Sequence, residues 1–377
     1  MADWNADFGP FDGHTWLNCA HQGPLPKRAV EAVDDAVTLK RAPHRLPEQA
    51  FREVPAGVKR ALGTLINASP DEIILGNSFS YGLHLLIHGL EWNEGNEVIL
   101  VEGDFPATIL PWRLLESQGV QLRFVDAECS TPLTQQLAET ATPRTRAVCT
   151  TWVDSFTGRR LDIDEIGTVC HEHDVLFVLN GSQGVGARPI DVSRTPVDVL
   201  ISCGYKWLCG PYGTGFTWLT PEVLDALGPV NAYWLSMQAG TTLDEMQNLS
   251  LDTELGASGY DVFGTANFNN FMPWTAAVEY LTGIGIEQIS AHGERLVGQL
   301  IEGAESSSFE VVTPEDPQRH ANIVVLSHSS ESVARETHRA LADAGIHTAL
   351  REGNIRVSPH VYNTHAEIDG LVERLPK

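Results

Sequence analysis

Lys206 stands apart from the other four lysines of the chain. It alone lies in an apolar, glycine-punctuated run, 199-VLISCGYKWLCGPYGTGFTWL-219. An ammonium among Val, Leu, Ile and Trp is costly to bury, so desolvation favours the neutral amine and lowers its pKa. A neutral lysine amine attacks carbonyl carbon and forms Schiff bases. Lys27, Lys40, Lys59 and Lys377 lie on polar, helix-like stretches or at the end of the chain. The plain alternative for Lys206 is a lysine that ends a buried strand and snorkels to water.

Other polar groups at the ends of apolar runs suit the same chemistry. Asn77-Ser78-Phe79-Ser80-Tyr81-Gly82 opens a helix pattern after such a run. Exposed N–H groups and hydroxyls at a helix start bind phosphate, though the same residues also make a plain N-cap. Phe105, in Gly103-Asp104-Phe105-Pro106, sets an aromatic ring at a strand end, to stack on a planar ligand or to fill core. Thr157-Gly158 and Asn180-Gly181-Ser182-Gln183 end two more runs. Arg356 is a cation on an apolar strand, 354-NIRVSPH-360, either paired structurally or open to a carboxylate. A Schiff-base lysine, a phosphate cradle, a stacking ring, a polar partner for a ring nitrogen and a carboxylate-binding arginine form one inventory. It is that of a pyridoxal-phosphate site for amino acids.

The bulk composition narrows the partners. Net charge is −24, from 25 basic and 49 acidic residues, and no basic cluster offsets it. Such a surface repels nucleic acid and anionic membranes. No apolar run approaches a membrane span, and MADWNADFGPFDG has neither the basic nor the apolar region of a secretory leader. The six cysteines lack CxxC pairs or metal-ligand spacing, so no metal is expected and reduced thiols in the cytoplasm are.

The elements that must position these groups alternate. Strands are predicted at 73–77, 97–104, 121–126, 147–153, 176–183, 199–205 and 213–219, with amphipathic helices such as 107–118 and 163–173 between them. Buried strands alternating with helices predict an α/β fold with a mostly parallel seven-stranded sheet, whose strand carboxyl ends gather the reacting groups. After a Gly/Pro-marked region near 229–265 the pattern changes. A long helix at 271–302, four short strands, a helix at 331–344 and a last helix at 364–375 predict a smaller α+β domain. The division expected is 1–50 as a segment packing on the large domain, 51–265 as the large domain and 266–377 as the small one.

The chain resembles the class V aminotransferase-like family of fold-type I pyridoxal-phosphate enzymes, which includes isopenicillin N epimerase-like proteins, C–S lyases, cysteine desulfurases and kynureninase. The likeness runs through 17-LNCAHQGPLP-26, 75-LGNSFSYGLHLL-86, 103-GDFPATILPW-112, 157-TGRRLD-162, 180-NGSQGVGARPIDV-192, 204-GYKWLCGPYGTGF-216, 264-GTANF-268 and 356-RVSPHVYNT-364. An ordered series is far more specific than any one motif. The resemblance implies that Lys206 is the Schiff-base lysine and catalytic base. It implies that Ser80, with Ser78 and the Phe79 backbone, belongs to the phosphate cup, which Tyr205 and a partner-supplied Thr265 also reach. It makes Phe105 the stacking ring, Asn180 the neighbour of the pyridine nitrogen and Gln183 the partner of the phenolic oxygen. Cys203 completes the cofactor-binding set. Arg356 is the substrate-carboxylate arginine, joined by His21 and Ser155 in the substrate-binding set. A homodimer with shared sites is implied as well.

Two departures bear on the reaction. The family motif has aspartate where Asn180 stands, and a neutral amide holds a pyridine proton less well than a carboxylate. The ring becomes a weaker electron sink, which tilts the reading from transamination, with its long-lived carbanion-like state, toward β-elimination. Desulfurases resembling this chain also carry a mobile cysteine-bearing loop before the carboxylate arginine, whereas 350-LREGNIR-356 is short and has no cysteine. Cysteine desulfurase is therefore disfavoured.

The leading expectation is a lyase that removes the α-proton of an amino acid and expels a β-substituent, most plausibly sulfur from an S-substituted cysteine. An epimerase of the isopenicillin N type comes second and needs an acid on the opposite ring face, for which Tyr81, His21 and His44 are candidates. An aminotransferase and a catalytically silent scaffold of the same fold complete the alternatives. Segments 41–51 and 229–260, the latter with Tyr233, Trp234, Gln238 and Met246, are expected to shape substrate choice or a dimer contact.

Overall fold

Seven apolar runs become the strands of one sheet in a computed structural model, which describes residues 4–228, 233–237, 247, 255–264 and 266–377. In chain order they are β1 (Ile73–Gly76), β2 (Glu97–Val101), β3 (Gln121–Val125), β4 (Thr145–Thr151), β5 (Leu176–Asn180), β6 (Val199–Cys203) and β7 (Gly215–Leu219). Their order across the sheet is β1-β7-β6-β5-β4-β2-β3. All neighbours are parallel except those of β7, which runs antiparallel to both β1 and β6. The short link 204–214 between β6 and β7 explains the exception, because a parallel return needs a crossover of a dozen residues or more. That link carries Lys206. Cys203 pairs with Gly215, so the link is clamped at the carboxyl end of β6.

The carboxyl ends of β1, β2, β4, β5 and β6 all point to this same edge. Successive side chains of each strand serve opposite faces. Ile99, Val148, Phe177, Leu179 and Leu200 pack with Leu62, Ile66, Ile166 and Trp274 on one face. Val98, Leu100, Cys149, Val178 and Ile201 pack with Leu83, Leu86 and Trp112 on the other. Only edge strand β3 is largely solvated.

A smaller C-terminal domain holds a four-stranded antiparallel sheet in the order Ala349–Arg351, Asn354–Val357, Val324–Ser327, Glu310–Val311. Leu296, Leu300, Leu341, Ile368 and Leu371 from three helices cover it. The predicted helix 271–302 is two helices, Phe268–Ile284 and Ile286–Ala304, separated by Gly285 at φ +94°. A residue without Cβ adopts that conformation readily, so the chain turns there. The first of the two packs Phe271, Trp274 and Val278 with the large sheet. The predicted helix 107–118 is one α turn, Pro106–Ile109, followed by a 3-10 helix, Leu110–Gln118. Pro111 has no N–H to continue an α ladder.

The N-terminal segment touches both parts. Thr15–Trp16 pairs in parallel with Ile346–His347, and Asn18 bridges Ser358. Helix Lys27–Arg41 packs on helix Phe268–Ile284. Among the described residues no helix is long and apolar enough to cross a membrane.

Candidate active site

Five strand ends bring their following residues to one edge. After β1, Ser78 caps helix Phe79–Gly89, its Oγ accepting from the Tyr81 amide at 3.2 Å. Ser80 lies in the first turn, so the backbone N–H groups of that turn open toward the edge. A Cβ on Gly215 of β7 would come within 2.8 Å of Ser78 N, so only glycine lets the helix start sit this close to the sheet. After β2, Phe105 turns its ring under the lysine, with Lys206 Nζ 5.6 Å from the ring centroid. Phe156 stacks on Phe105 at 6.2 Å.

The lysine is held by its backbone. Gly23 N donates to the Tyr205 carbonyl at 2.9 Å, and Cys209 N to the Lys206 carbonyl at 3.0 Å. Burial lowers the Lys206 pKa, and Arg356 and Arg351 lower it further against the opposing effect of the Cys203 and Cys19 thiols. The nucleophilic amine anticipated for this residue is what that environment favours. Burial first, and then the nearby Cys203 thiol and Tyr212, raise the Tyr205 phenol pKa. Its ring lies 4.6 Å from that of exposed Tyr212.

Asn180 and Gln183 are both held by hydrogen bonds within the chain. Asn180 Nδ2 donates to Thr108 Oγ1 at 2.9 Å, while its Oδ1 accepts from the Ser182 amide at 3.1 Å. Gln183 Nε2 donates to the Ala20 carbonyl at 3.1 Å and to Ser155 Oγ at 3.2 Å, and its Oε1 accepts from Trp207 Nε1 at 2.8 Å. Ser155 in turn offers its carbonyl to Arg356 Nη1 at 3.3 Å.

Arg356 is 3% exposed, and its Nε has no partner among the described residues. Burial first, and then Arg351, lower its pKa to about 10 against the opposing effect of Asp154. A guanidinium left this way in the interior is a receptor for an anion. His21 lies at the mouth, where desolvation first, and then Arg351, Arg356 and Lys206, lower its pKa and favour the neutral ring.

Of the residues expected at the site, Thr265, Gln238 and Met246 lie outside the described residues. The described members of the cofactor-binding set follow the strand ends, with Ser155 and Arg356 bonded to each other beside them. Tyr81 is otherwise occupied: its hydroxyl donates to the Tyr260 carbonyl at 2.7 Å and its pKa is raised to about 12. Its hydroxyl proton is committed to that carbonyl in this structure. His44 sits on the exposed turn Pro43–Arg45. Three features escaped sequence reasoning. Arg351 joins the cationic cluster, and its nearness to Arg356 in 350-LREGNIR-356 was the available signal. Lys59, on one of the polar, helix-like stretches, is buried and pairs with Asp261 at 2.9 Å, a partner 202 positions away that nothing local announces. The Asp104–Thr108–Asn180 contacts are the third. Among the described residues no cluster could hold a metal.

The donor set fits pyridoxal phosphate. Among the described residues, a desolvated lysine without a carboxylate partner, an aromatic ring beneath it, an open helix start and a buried guanidinium with an unpartnered Nε line one edge.

The comparisons agree. The family model for aminotransferase class-V matches residues 24–371. A probable cysteine desulfurase of Methanothermobacter thermautotrophicus is 28% identical over 96% of this chain and 94% of its own. The isopenicillin N epimerase of Streptomyces clavuligerus is 27% identical over 95% and 93%. Two structures of C-DES share the fold at 23% identity. One, a mutant with glycine covalently linked to its pyridoxal-phosphate cofactor, has a TM-score of 0.91 over 99% of both chains. The other, the cystine C–S lyase with its product cysteine persulfide, has a TM-score of 0.90 over 98% of this chain and 100% of that one. With a family match across nearly its whole length and a site whose residues suit the cofactor, this chain belongs to the aminotransferase class-V family and is a pyridoxal-phosphate-dependent enzyme.

Proposed function

We propose that the chain is a β-eliminating C–S lyase acting on an S-substituted cysteine. The observation that carries this reading is the hairpin in front of Arg356. Arg351 and Asn354 are paired residues, and Glu352 and Gly353 form a two-residue turn with φ of +44° and +78°. Two positive φ values are the mark of the tight turn that joins twisted strands without slack. No loop extends from it to carry a sulfur-accepting cysteine to the site. Cys203 and Cys209 beside the lysine are buried, as are Cys19, Cys149 and Cys170. Sulfur released at Cβ would therefore leave as a small molecule.

When bound, pyridoxal phosphate supplies the electron sink for the carbanion formed at Cα. The chain supplies the rest. The start of helix Phe79–Gly89, with Ser78 and Ser80, takes the phosphate. Phe105 would support the ring face, Asn180 would meet the ring nitrogen, and Gln183 would give the phenolic oxygen one N–H in place of one of its two present acceptors. Arg356 binds the substrate carboxylate and so orients the Cα–H bond toward Lys206. Lys206 Nζ takes that proton as general base and returns it to the leaving sulfur. Ser155 braces Arg356 and Gln183 together.

The amino-acid substrate is held by one arginine deep in the site and a second, Arg351, near it. Tyr212, 71% exposed yet packed on Tyr205, supports a homodimer that covers this face. Free and mostly buried thiols support a cytoplasmic setting.

The test is product analysis of the purified holoprotein with cystine and S-alkyl cysteines. Pyruvate and ammonia in equal amounts, with a thiol or persulfide, are expected. Inversion at Cα without pyruvate would replace the reading by epimerisation.

A further inference from the structure

Asp104 is a buried carboxylate with no task in the reaction above. It is 6% exposed, at the turn out of β2. Its Oδ1 accepts from the Phe105 amide at 2.5 Å and its Oδ2 from the Thr151 amide at 2.8 Å. The Thr108 hydroxyl lies beside it and draws its pKa down. Among the described residues it has no ion-pair partner, and the charged group that pushes its pKa up is another carboxylate, Asp154. An ionised acid in such a place lacks a countercharge.

The bonds that lead away from Asp104 each have one allowed direction. A backbone amide only donates, so Ser182 N compels Asn180 to face it with Oδ1. The other end of that amide, Nδ2, then donates to Thr108 Oγ1 at 2.9 Å. Thr108 is fully buried and accepts from Asn180, which leaves its own hydrogen for the Asp104 carboxylate beside it. Asn180 Oδ1 keeps a second lone pair beyond the one used by Ser182. The carboxylate thus polarises the hydroxyl, the hydroxyl polarises the amide, and the amide oxygen gains negative character.

We propose that Asp104 is a positioning residue for the cofactor's ring nitrogen: through Thr108 it locks the Asn180 amide with its oxygen as the acceptor and places an anion two hydrogen bonds behind it, so that this chain keeps the ring nitrogen protonated without an aspartate at position 180. The inference rests on the reading that Asn180 meets the ring nitrogen. It also resolves the departure from the family motif. The charge that aspartate would supply directly is set one shell back, and the ring cation is the countercharge that Asp104 lacks. Burial first, then Asp154, push the Asp104 pKa up to about 7, so a nearby cation would draw it back toward the ionised form.

The experiment is nitrogen-15 NMR of holoenzyme loaded with ring-labelled pyridoxal phosphate. In the wild type the resonance is expected at the protonated position. Asp104→Asn and Thr108→Val should each shift it toward the neutral position. Adding Asn180→Asp to Asp104→Asn should return it, because a direct carboxylate no longer needs the relay. Thr108→Val leaves both amide bonds of Asp104 intact, so it carries the test if Asp104→Asn fails to fold. A wild-type resonance at the neutral position overturns the proposal. So does an unmoved resonance in Thr108→Val when Asn180→Ala moves it. If Asn180→Ala moves nothing, the placement of Asn180 itself is wrong, and that failure is distinct from the other.

Discussion

Arg356 Nη1 stands 3.3 Å from the carbonyl oxygen of Ser155, and the same serine accepts from Gln183 through Oγ at 3.2 Å. One residue of a strand-end turn thereby fixes two side chains from distant parts of the chain. An arginine placed this way, with a free Nε, is pre-organised for a carboxylate and cannot swing out to water without breaking the brace.

Arg356→Ala should reduce kcat/KM for amino-acid substrates by about 30- to 4000-fold, the equivalent of about 2–5 kcal/mol for a buried charge-assisted pair. The control is the decarboxylated amine of the same substrate. The variant should treat amino acid and amine nearly alike, whereas the wild type favours the amino acid. Retained discrimination would assign the carboxylate to another residue, with Arg351 the first to examine.

Borohydride reduction of the holoprotein should fix the cofactor to Lys206 alone among the five lysines, as read by peptide mass spectrometry. The lowered pKa of Lys206 leaves its amine neutral at a pH where the exposed lysines are charged. In the cofactor-free protein, labelling by a small aldehyde should therefore reach Lys206 first as the pH rises. Equal labelling of Lys27 and Lys206 at neutral pH would contradict this.

Gly23→Ala should destabilise the protein and disturb the lysine together. A Cβ there would lie 2.1 Å from the Lys206 carbonyl oxygen and 3.1 Å from Cys209 Sγ, so backbone must move. Overpacking of this kind costs about 1–3 kcal/mol. A lower Tm accompanied by incomplete cofactor attachment is the expected result. A lower Tm with full attachment would show that the loop yields elsewhere.

Stability of the cofactor-free protein should carry a signature of Asp104. Its folded pKa is about 7 against an ordinary value of 3.8, so between those limits the folded chain binds a proton that the unfolded chain does not. The contribution is fully present below about pH 4 and is lost as the pH rises through about 7. At about 1.4 kcal/mol per pH unit the loss amounts to a few kcal/mol. Urea midpoints of wild type and Asp104→Asn should therefore converge or cross between pH 5 and 8. Parallel curves would mean that the carboxyl titrates as an ordinary one.

Much of the site was legible because its residues announce themselves locally. Lys206 in its apolar run, Arg356 on its apolar strand and the helix opening at Ser78 are each anomalies of residue type against immediate surroundings. The seven strands were legible for a related reason, since strands buried on both faces read as short continuous apolar runs. The helix break at Gly285 and the 3-10 helix after Pro111 were less legible, because an apolar pattern continues across both.

The sequence by itself determined the fold class and singled out Lys206, Arg356 and the departure at Asn180 as candidates, since each depends on residue identity in a local frame. Only the tertiary structure decided that Tyr81 spends its hydroxyl on Tyr260 and that Lys59 is buried against Asp261. It also decided that Asp104 stands behind Asn180, with Thr108 between them. These are contacts between residues far apart in the chain. Their existence depends on which strand ends the sheet order brings together, and on hydrogen-bond directions that no single segment carries.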